Sequence, residues 1–555
     1  MQFVKLTASA LIVTAFSACG GGSASTSSIS SPSPQPITAN PASQAVSSVT
    51  LSGTLTYDRV PHTQNSSLNY ANTMELPIRG AVVEAVNASG EVLASALSGP
   101  NGAYTMTVDP QTNIRIQVKS QLLSSGTATW DFSVTDNTQG NQLYALQGSI
   151  ASTGANAQQR RNLHAGHGWT GQSYGAPRSA APFAILDSVY SAAQTFAAID
   201  PNIDFPALEL RWSVDNRTII GDRSLGHIGT SAYFPDENAG TGAIYVLGED
   251  GRDTDEYDQH VIIHEWGHYF EDKLSRTDSI GGLHSLSDRL DARVALSEGW
   301  SNALSAIISG DPIYRDSSGA NQNFGFSYNL ENSDIHNPGW FNEASVGSII
   351  YDIFDDGLEN SDDIAAGLAP LYTVLRSADY TDMPVLATVF SLADGLRREG
   401  SINNSALDRL LESQFISGNG PNGNSESNSG AIRSALPIYK EVSLNGPSVQ
   451  ICSVDDAGVF NKLGNRDFIF LNLETDREVT LSLIKTSGSD EHDPDFDIWQ
   501  AGQLIHNSSS TEQGQEIYQG QLNAGDYVIE AYDFFNINGT GSRRGDSCYN
   551  FSVTG

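Results

Sequence analysis

The spacing of apolar residues divides the chain into three parts, and the first part alternates. From Val49 to Val118, apolar residues alternate with polar or small ones, and turn signals such as Gly99–Gly102 separate the runs. A period of two is typical of strands with one buried face. We therefore predict a β-sandwich over residues 49–150. Residues 151–178, rich in Gly, Ala, Gln and Ser, are predicted to be a linker.

From residue 179 the apolar positions change to a helical spacing. A first helix is predicted between residues 180 and 198, where Asp200-Pro201 ends the pattern. One strand and four further helices follow. The strand is predicted at 242–248 and the helices at 255–274, 289–309, 342–354 and 382–397. This pattern predicts an α+β domain over residues 179–440, mainly helical around residues 255–309.

Short alternating runs return after residue 448, for example at 468–471, 479–483 and 527–531. They predict a second β-sandwich over residues 448–555. The predicted fold class is therefore a multidomain protein, in which two β-sandwiches flank an α+β domain.

The N-terminus has the features of an export signal. Lys5 precedes an apolar run that ends at Phe16 and is too short to span a bilayer. The residues up to Cys19 resemble a bacterial lipobox, in which the cysteine becomes the lipidated first residue. That resemblance implies a signal peptide at 1–18, a lipid on Cys19 and a flexible Ser/Pro-rich tether at 19–48. An ordinary signal peptide beside an incidental cysteine is the alternative.

Charge and cysteines agree with a place outside the cytoplasm. Asp and Glu number 64 against 29 Lys and Arg, a net charge of −35, which disfavours nucleic acid as a partner. A lipid anchor is the only membrane contact that we expect. We predict a protein of the bacterial cell envelope, at the outer membrane or cell surface, or one that is secreted. With Cys19 lipidated, Cys452 and Cys548 are expected to form a disulfide in an oxidising compartment, two free thiols being the alternative.

The candidate chemistry lies in the sequence His264-Glu265-Trp266-Gly267-His268. Residues four apart on a helix share a face, so both imidazoles reach one point and suit a zinc ion. Glu265 lies beside them and can reach a water on the metal without being a ligand. The alternative is a helix whose histidines are only satisfied polar groups.

The same motif resembles the gluzincin zinc peptidases, which include thermolysin-like and fungalysin-like enzymes. In that group a downstream Glu is the third ligand, which implies Glu298, and an Asp four residues later orients the first histidine. Asn302 stands at that position and carries no charge. His260, four residues before His264, is expected to lie outside the ligand set.

A group that stabilises the oxyanion is also implied by the likeness to thermolysin-like enzymes. In the segment between residues 329 and 356, the resemblance implies His336 for this role, with Glu331 as its acidic partner. Tyr351 is the alternative, since a phenol does the same work in other gluzincins. Zincins also imply that the strand at 242–248 pairs with the extended substrate.

The two β-rich regions carry weaker resemblances. Residues 52–59 and 77–108 resemble carboxypeptidase regulatory-like domains, and residues 477–533 resemble the bacterial pre-peptidase C-terminal domain. The second region contains an acidic run that is a candidate calcium site or a solvated loop. Its members are Asp490, Glu491, Asp493, Asp495 and Asp497.

These features together predict a zinc metallopeptidase that holds one catalytic zinc ion and hydrolyses peptides or proteins. We expect an endopeptidase rather than an aminopeptidase. An amidase that uses the same zinc site is one alternative. A surface binding or adhesion protein, whose β-domains do the work while the zincin domain is inactive, is another.

Overall fold

A computed structural model describes residues 46–332, 334–357, 363–538 and 544–555. The predicted signal peptide, Cys19 and nearly all of the predicted tether lie outside these residues. Of the helices that are described, none is long and apolar enough to cross a membrane. Residues Val46–Gly555 form one compact unit.

From residue 46 onwards, twelve strands precede the first described α-helix, and alternation of buried and exposed residues is clear in the longest of them. Their bounds are β1 Val49–Arg59, β2 Met74–Pro77, β3 Ala81–Asn87, β4 Val92–Leu97, β5 Ala103–Val108, β6 Asn113–Ser125, β7 Thr129–Asp136, β8 Gln142–Leu143, β9 Ala145–Gln147, β10 Ala151–Ser152, β11 Gln158–Arg160 and β12 Leu163–Ala165.

The central part of the chain contains eight helices and seven strands among its described residues. The bounds are α1 Ala181–Ile199, β13 Leu208–Trp212, β14 Ala232–Phe234, β15 Ala243–Val246, β16 Gly248–Glu249, β17 Asp253–Thr254, α2 Gln259–Leu274, α3 Ala292–Ser309, β18 Ile313–Ser318, β19 Phe324–Asn329, α4 Glu343–Phe354, α5 Leu368–Arg376, α6 Ala378–Thr381, α7 Val389–Glu399 and α8 Asn404–Ser413.

One sheet joins the first β-region to the central part. Its strand order is β14-β15-β13-β7-β6-β3-β4, and β7 pairs in parallel with β13 through Val134 and Leu210. The boundary predicted at residue 150 therefore falls inside a continuous sheet. The segment predicted as a linker holds β10, β11 and β12, of which β11 and β12 pair with β1. Strands of two or three residues are too short to show a period in the sequence.

Helices α2, α3 and α4 pack closely because glycines lie at their contacts. A Cβ added to Gly267 of α2 would lie 2.7 Å from the hydroxyl of Ser301 on α3. A Cβ on Gly299 of α3 would lie 2.7 Å from the Cβ of Val346 on α4. Because these positions lack side chains, α2 and α3 approach closely enough for His264 and His268 of α2 to meet Glu298 of α3.

The ends of α3 are fixed by local chemistry. The carboxylate of Asp291 accepts a hydrogen bond from the Arg293 backbone N–H at 3.0 Å, which caps the first turn. Gly310 ends the helix in the left-handed conformation, with a φ of 66°. These two signals set the bounds of the helix that carries Glu298.

The C-terminal part is a two-sheet β-sandwich, as its alternating pattern predicts. The bounds are β20 Tyr439–Val442, β21 Val449–Ser453, β22 Arg466–Leu473, β23 Arg477–Ser487, β24 Pro494–Gln500, β25 Gln503–Ser508, β26 Gln515–Leu522, β27 Gly525–Asp533, α9 Phe534–Asn538 and β28 Ser547–Thr554. The two sheets have the orders β20-β22-β27-β24-β25 and β21-β28-β23-β26.

The predicted disulfide is confirmed. Cys452 of β21 and Cys548 of β28 are directly opposite each other in an antiparallel pair and are bonded. The sandwich has its own apolar core, whereas the first β-region and the helical part share another. The β-rich regions of the predicted fold class are therefore confirmed at both ends of the described chain.

Candidate metal centre

Three predicted ligands meet where α2 packs on α3. The Nε2 atoms of His264 and His268 lie 3.2 Å apart, and they lie 3.1 and 3.4 Å from Oε2 of Glu298. Ligands at ordinary zinc distances in a tetrahedral site are separated by about 3.4 Å. The three atoms therefore have the spacing that a zinc ion requires.

The other ring nitrogen of each histidine is held by α3. Nδ1 of His264 lies 2.9 Å from Oδ1 of Asn302, the residue at the position to which the resemblance assigns the orienting group. Nδ1 of His268 lies 3.1 Å from the hydroxyl of Ser297 and 3.2 Å from that of Ser301. When Nδ1–H of each ring donates to these oxygens, Nε2 is left with a lone pair that a metal ion beside Glu298 can accept.

The carboxylate of Glu298 is buried, and one of its oxygens has no hydrogen-bond donor. It is 5% exposed, and its Oε2 atom is buried and accepts no hydrogen bond. Burial acts to raise its pKa, but the neighbouring His268 and His264 outweigh burial and hold the pKa well below its usual range. An ionised, buried oxygen beside two imidazoles is the donor set that a divalent cation satisfies.

Glu265 faces the same space from the adjacent position on α2. Its carboxylate is buried, and Oε2 accepts a hydrogen bond from the backbone N–H of Tyr233 at 2.8 Å. Burial raises the pKa of Glu265, while His264 and His268 oppose that change. A raised pKa brings a carboxylate nearer to the range in which it exchanges protons at neutral pH.

A cavity of about 640 Å³ opens over these residues. Strand β14 lines one side of it, and the connection between α2 and α3 lines the other. On that connection Leu283 is 89% exposed, an unusual exposure for a leucine beside a polar cluster. The cavity is large enough to hold several residues of an extended peptide.

The strand that borders the cavity differs from the predicted one. β15, within the predicted strand at 242–248, pairs with β13 on one side and β14 on the other, so its hydrogen-bonding groups are used. β14 is the outer strand of the sheet, and its residues Ala232 and Tyr233 line the cavity. The sequence does not reveal β14, because a strand of three residues gives no periodic signal.

His284 belongs to the site, although the sequence did not single it out. Its Nδ1 lies 2.6 Å from Oε2 of Glu343 on α4, and its Nε2 lies 3.4 Å from Oε2 of Glu298. Burial acts to lower its pKa, but the hydrogen bond to Glu343 and the charge of Glu298 outweigh burial and raise the pKa to about 9. A histidine after Gly281-Gly282, between the two ligand-bearing helices, was the available signal.

The two predicted oxyanion candidates are not brought to this cavity. His336 lines a separate cavity of about 350 Å³, together with Tyr328 and Ala344. Tyr351 is buried on α4 and is not among the residues that line the larger cavity. The segment that carries His336 follows β19, and His336 is not among the residues that line the larger cavity.

Two other predicted positions lie apart from the metal centre. Nε2 of His260 is 3.1 Å from the backbone oxygen of Asp311, so it lies outside the ligand set, as expected. In the acidic run of the C-terminal sandwich, Asp490 is fully exposed. Within the described chain, no three carboxylates of that run converge as ligands would.

Comparisons with known proteins place a peptidase-associated family over the site. The family described as the Mycolysin C-terminal domain matches residues 233–380, which include α2, α3 and α4. No curated protein sequence matches the chain. This family occurs in secreted bacterial proteins.

Solved structures similar to parts of the chain include two small proteins. The pre-peptidase C-terminal domain of a collagenase from Bacillus anthracis is 14% identical, over 21% of this chain and 93% of that one, with a TM-score of 0.16. CorA, a surface-associated copper-binding protein of Methylomicrobium album, is 10% identical, over 21% of this chain and 96% of that one, with a TM-score of 0.16.

Proposed function

We propose that this protein is a zinc-dependent metallopeptidase, an endopeptidase that acts on peptides or proteins outside the cytoplasm. The observation that carries the proposal is the meeting of His264, His268 and Glu298, with Glu265 beside them in one cavity. Two imidazoles and one carboxylate leave a zinc ion one open position, which is the composition of a catalytic rather than a structural site.

The residues present fit a zinc ion. His264, His268 and Glu298 would hold it, and Asn302, Ser297 and Ser301 would orient the two histidines. When bound, zinc supplies Lewis acidity, which polarises a carbonyl group and lowers the pKa of a water molecule. Because Asn302 is neutral, it orients His264 without the added basicity that a carboxylate gives.

Glu265 is the general base of the proposed reaction. The Tyr233 N–H fixes one carboxylate oxygen, so the group faces the cavity in a defined direction. Glu265 takes a proton from the attacking water and then delivers it to the nitrogen of the leaving amine, which breaks the peptide bond. Its burial keeps competing bulk water away from this proton transfer.

Strand β14 would hold the substrate. An extended peptide can add to the outer edge of a sheet through main-chain hydrogen bonds. Residues 230–233 line the cavity at this edge, and Tyr233 joins it to Glu265. A strand binds a chain that continues in both directions, which supports an endopeptidase.

We place His284, instead of His336, in the role of the group that stabilises the oxyanion. Glu343 holds one side of its ring, and the other nitrogen faces the cavity beside Glu298. A charged imidazole there would donate a hydrogen bond to the carbonyl oxygen as negative charge develops on it. This role needs a group that is already in place, and the Glu343 contact provides that positioning.

The decisive experiment combines zinc content with hydrolysis of casein. The wild type is expected to hold one zinc ion per chain, and Glu298→Ala is expected to lose it. Glu265→Gln is expected to keep zinc and to lose at least about 10²-fold in activity, the size of a general-base contribution. Glu399→Gln, an exposed glutamate at the end of α7, is the control and should match the wild type.

Two outcomes would reject the proposal. If the wild-type chain holds no zinc, the proposed metal centre is rejected. Undiminished hydrolysis by Glu265→Gln would remove the general base, and it would favour a binding role for the β-rich regions.

A further inference from the structure

A second cluster of carboxylates lies away from the metal centre, where the chain approaches α2. Asp253 is on β17, Asp255 follows that strand, and Asp316 is on the neighbouring strand β18. One carboxylate oxygen from each lies within 4.8 Å of the other two. β17 and β18 are paired through Asp253 and Ser318, so the sheet itself holds two of the three residues together.

The oxygens of this cluster are buried and lack hydrogen-bond partners. Oδ1 of Asp253, Asp255 and Asp316 are each removed from solvent, and none accepts a hydrogen bond. Asp255 is 3% exposed, and its other oxygen accepts the hydroxyl of Ser231. A buried, unpartnered carboxylate oxygen is costly, so three of them at one point require an explanation.

The adjacent carboxylate of Asp258 shows the contrast. It accepts hydrogen bonds from the backbone and hydroxyl of Ser317 and lies 2.8 Å from Nε2 of His62. Asp258 is therefore satisfied by the protein. The same partners do not reach the Oδ1 atoms of the other three aspartates.

The pKa of each of the three aspartates is raised, because the carboxylates are buried and lie close to other negative charges. Burial and then the charge of Asp258 raise the pKa of Asp253 to about 7. Burial and the neighbouring carboxylates likewise raise the pKa of Asp255 and Asp316. Arg252, next to Asp253, is 71% exposed and lies 4.0 Å from Glu249, and Arg315, next to Asp316, pairs with Asp311 at 3.3 Å. Neither arginine pairs with the three carboxylates, so their negative charge is offset by protons on the carboxylates or by a bound cation.

We propose that Asp253, Asp255 and Asp316 form a calcium site. The donors are all carboxylate oxygens, which hard divalent cations prefer, and no imidazole or thiol belongs to the group. Oxygens bound to one calcium ion at about 2.4 Å lie at most about 4.8 Å apart, and the three carboxylate oxygens meet that limit. Magnesium, in contrast, usually keeps several waters and is seldom held by an all-protein cage. Backbone oxygens and water would complete the six to eight ligands that calcium takes.

The site would join three segments that support the metal centre. Asp255 lies four residues before the start of α2, which carries His264. Asp316 lies on the strand that also presents Tyr314 to the His264 ring, with centroids 6.2 Å apart. A cation here would fix the start of α2 against β17 and β18. Its effect is on stability, and it is independent of the proposed peptidase chemistry.

The test uses the full chain, stripped of metal on a chelating resin and then given one equivalent of zinc. Calcium binding is measured by titration calorimetry, and Tm is measured with and without calcium. The wild type should bind one calcium ion at this site and gain a few degrees in Tm, since a ligand of the folded state stabilises it. Asp255→Asn should lose both effects. Its calcium-free Tm should exceed that of the calcium-free wild type, because one buried charge has been removed.

Asp495→Asn is the matched control, because Asp495 is another buried aspartate with an unpartnered oxygen, in the C-terminal sandwich. It should keep the calcium response of the wild type. Asp316→Asn is the second variant if Asp255→Asn does not fold. No saturable calcium binding by the wild type, an equal gain in Tm from magnesium, or a calcium response that persists in both Asp255→Asn and Asp316→Asn would overturn the proposal.

Discussion

At the scale of single residues, a side chain of the site can act on a substrate only if a neighbouring residue fixes its orientation. His284 would be a mobile loop histidine without Glu343, and its ring would have no fixed direction. The 2.6 Å contact to Glu343 aims Nε2 across the cavity towards Glu298. The contribution of His284 to catalysis should therefore be separable from that of the ligands.

We expect His284→Ala to lower kcat/KM for a peptide substrate by about 10²-fold, the loss seen when one oxyanion donor is removed. Zinc content should remain at the wild-type value, because His264, His268 and Glu298 are unchanged. His336→Ala, in the separate cavity, is the control and should leave kcat/KM unchanged. The opposite ranking of the two variants would return the oxyanion role to His336.

The site residues that could be predicted from the spacing of residues are those that lie close together in the sequence. His264 and His268 share one helix face, so a spacing of four is enough to pair them. Glu298 came from a resemblance that fixes its distance along the chain. His284 and Glu343 are 59 positions apart and meet only because α4 packs on α3. No periodicity in the sequence reports such a contact.

At the scale of elements, α2 also buries the imidazole of His260, a titratable side chain outside the metal centre. His260 is 4% exposed, and its Nε2 lies 3.1 Å from both the Asp311 backbone oxygen and the Ser309 hydroxyl. Burial lowers its pKa to about 4, although the contact to Asp311 opposes that change. The folded protein therefore resists protonation of His260, whereas the unfolded chain takes up the proton near pH 6.5.

This difference predicts a loss of stability in mild acid. Between the two pKa values the unfolded state binds more protons, so the free energy of unfolding falls as the pH drops from 6.5 towards 4. Between pH 7 and pH 5 the contribution of His260 is about 2 kcal/mol. In denaturant unfolding at both pH values, His260→Gln should show a smaller loss than the wild type by about that amount. Equal losses would mean that His260 does not titrate differently in the two states.

Element prediction succeeded where a segment was long and periodic. α2, α3 and α4 lie inside the predicted ranges, because each has several turns of buried residues and a defined end. It failed for the short strands β10 to β12 and β14, whose pairing is decided by distant partners. β14 matters most of these, since it is the edge that faces the cavity.

At the scale of the whole molecule, a buried ion network joins the C-terminal sandwich to the helix that carries Glu298. The guanidinium of Arg293 on α3 donates two hydrogen bonds to Glu530 on β27, both at 2.9 Å. Asp291 also accepts from Arg293, and Arg466 pairs with Glu530 at 2.7 Å. Arg293 and Glu530 are each 2% exposed. The sandwich is therefore bound to the start of α3 by charges that water does not reach.

We expect Glu530→Ala to lower the free energy of unfolding by about 3 kcal/mol or more, because it leaves Arg293 and Arg466 buried with too few acceptors. Denaturant unfolding measures this loss. Asp379→Ala breaks the exposed pair with Arg398 and serves as the control, with an expected change within about 0.5 kcal/mol. If the two variants lose the same stability, the network does not bind the sandwich to α3. A larger loss in Glu530→Ala, accompanied by weaker zinc binding, would show that the sandwich supports the position of Glu298 through the first turns of α3.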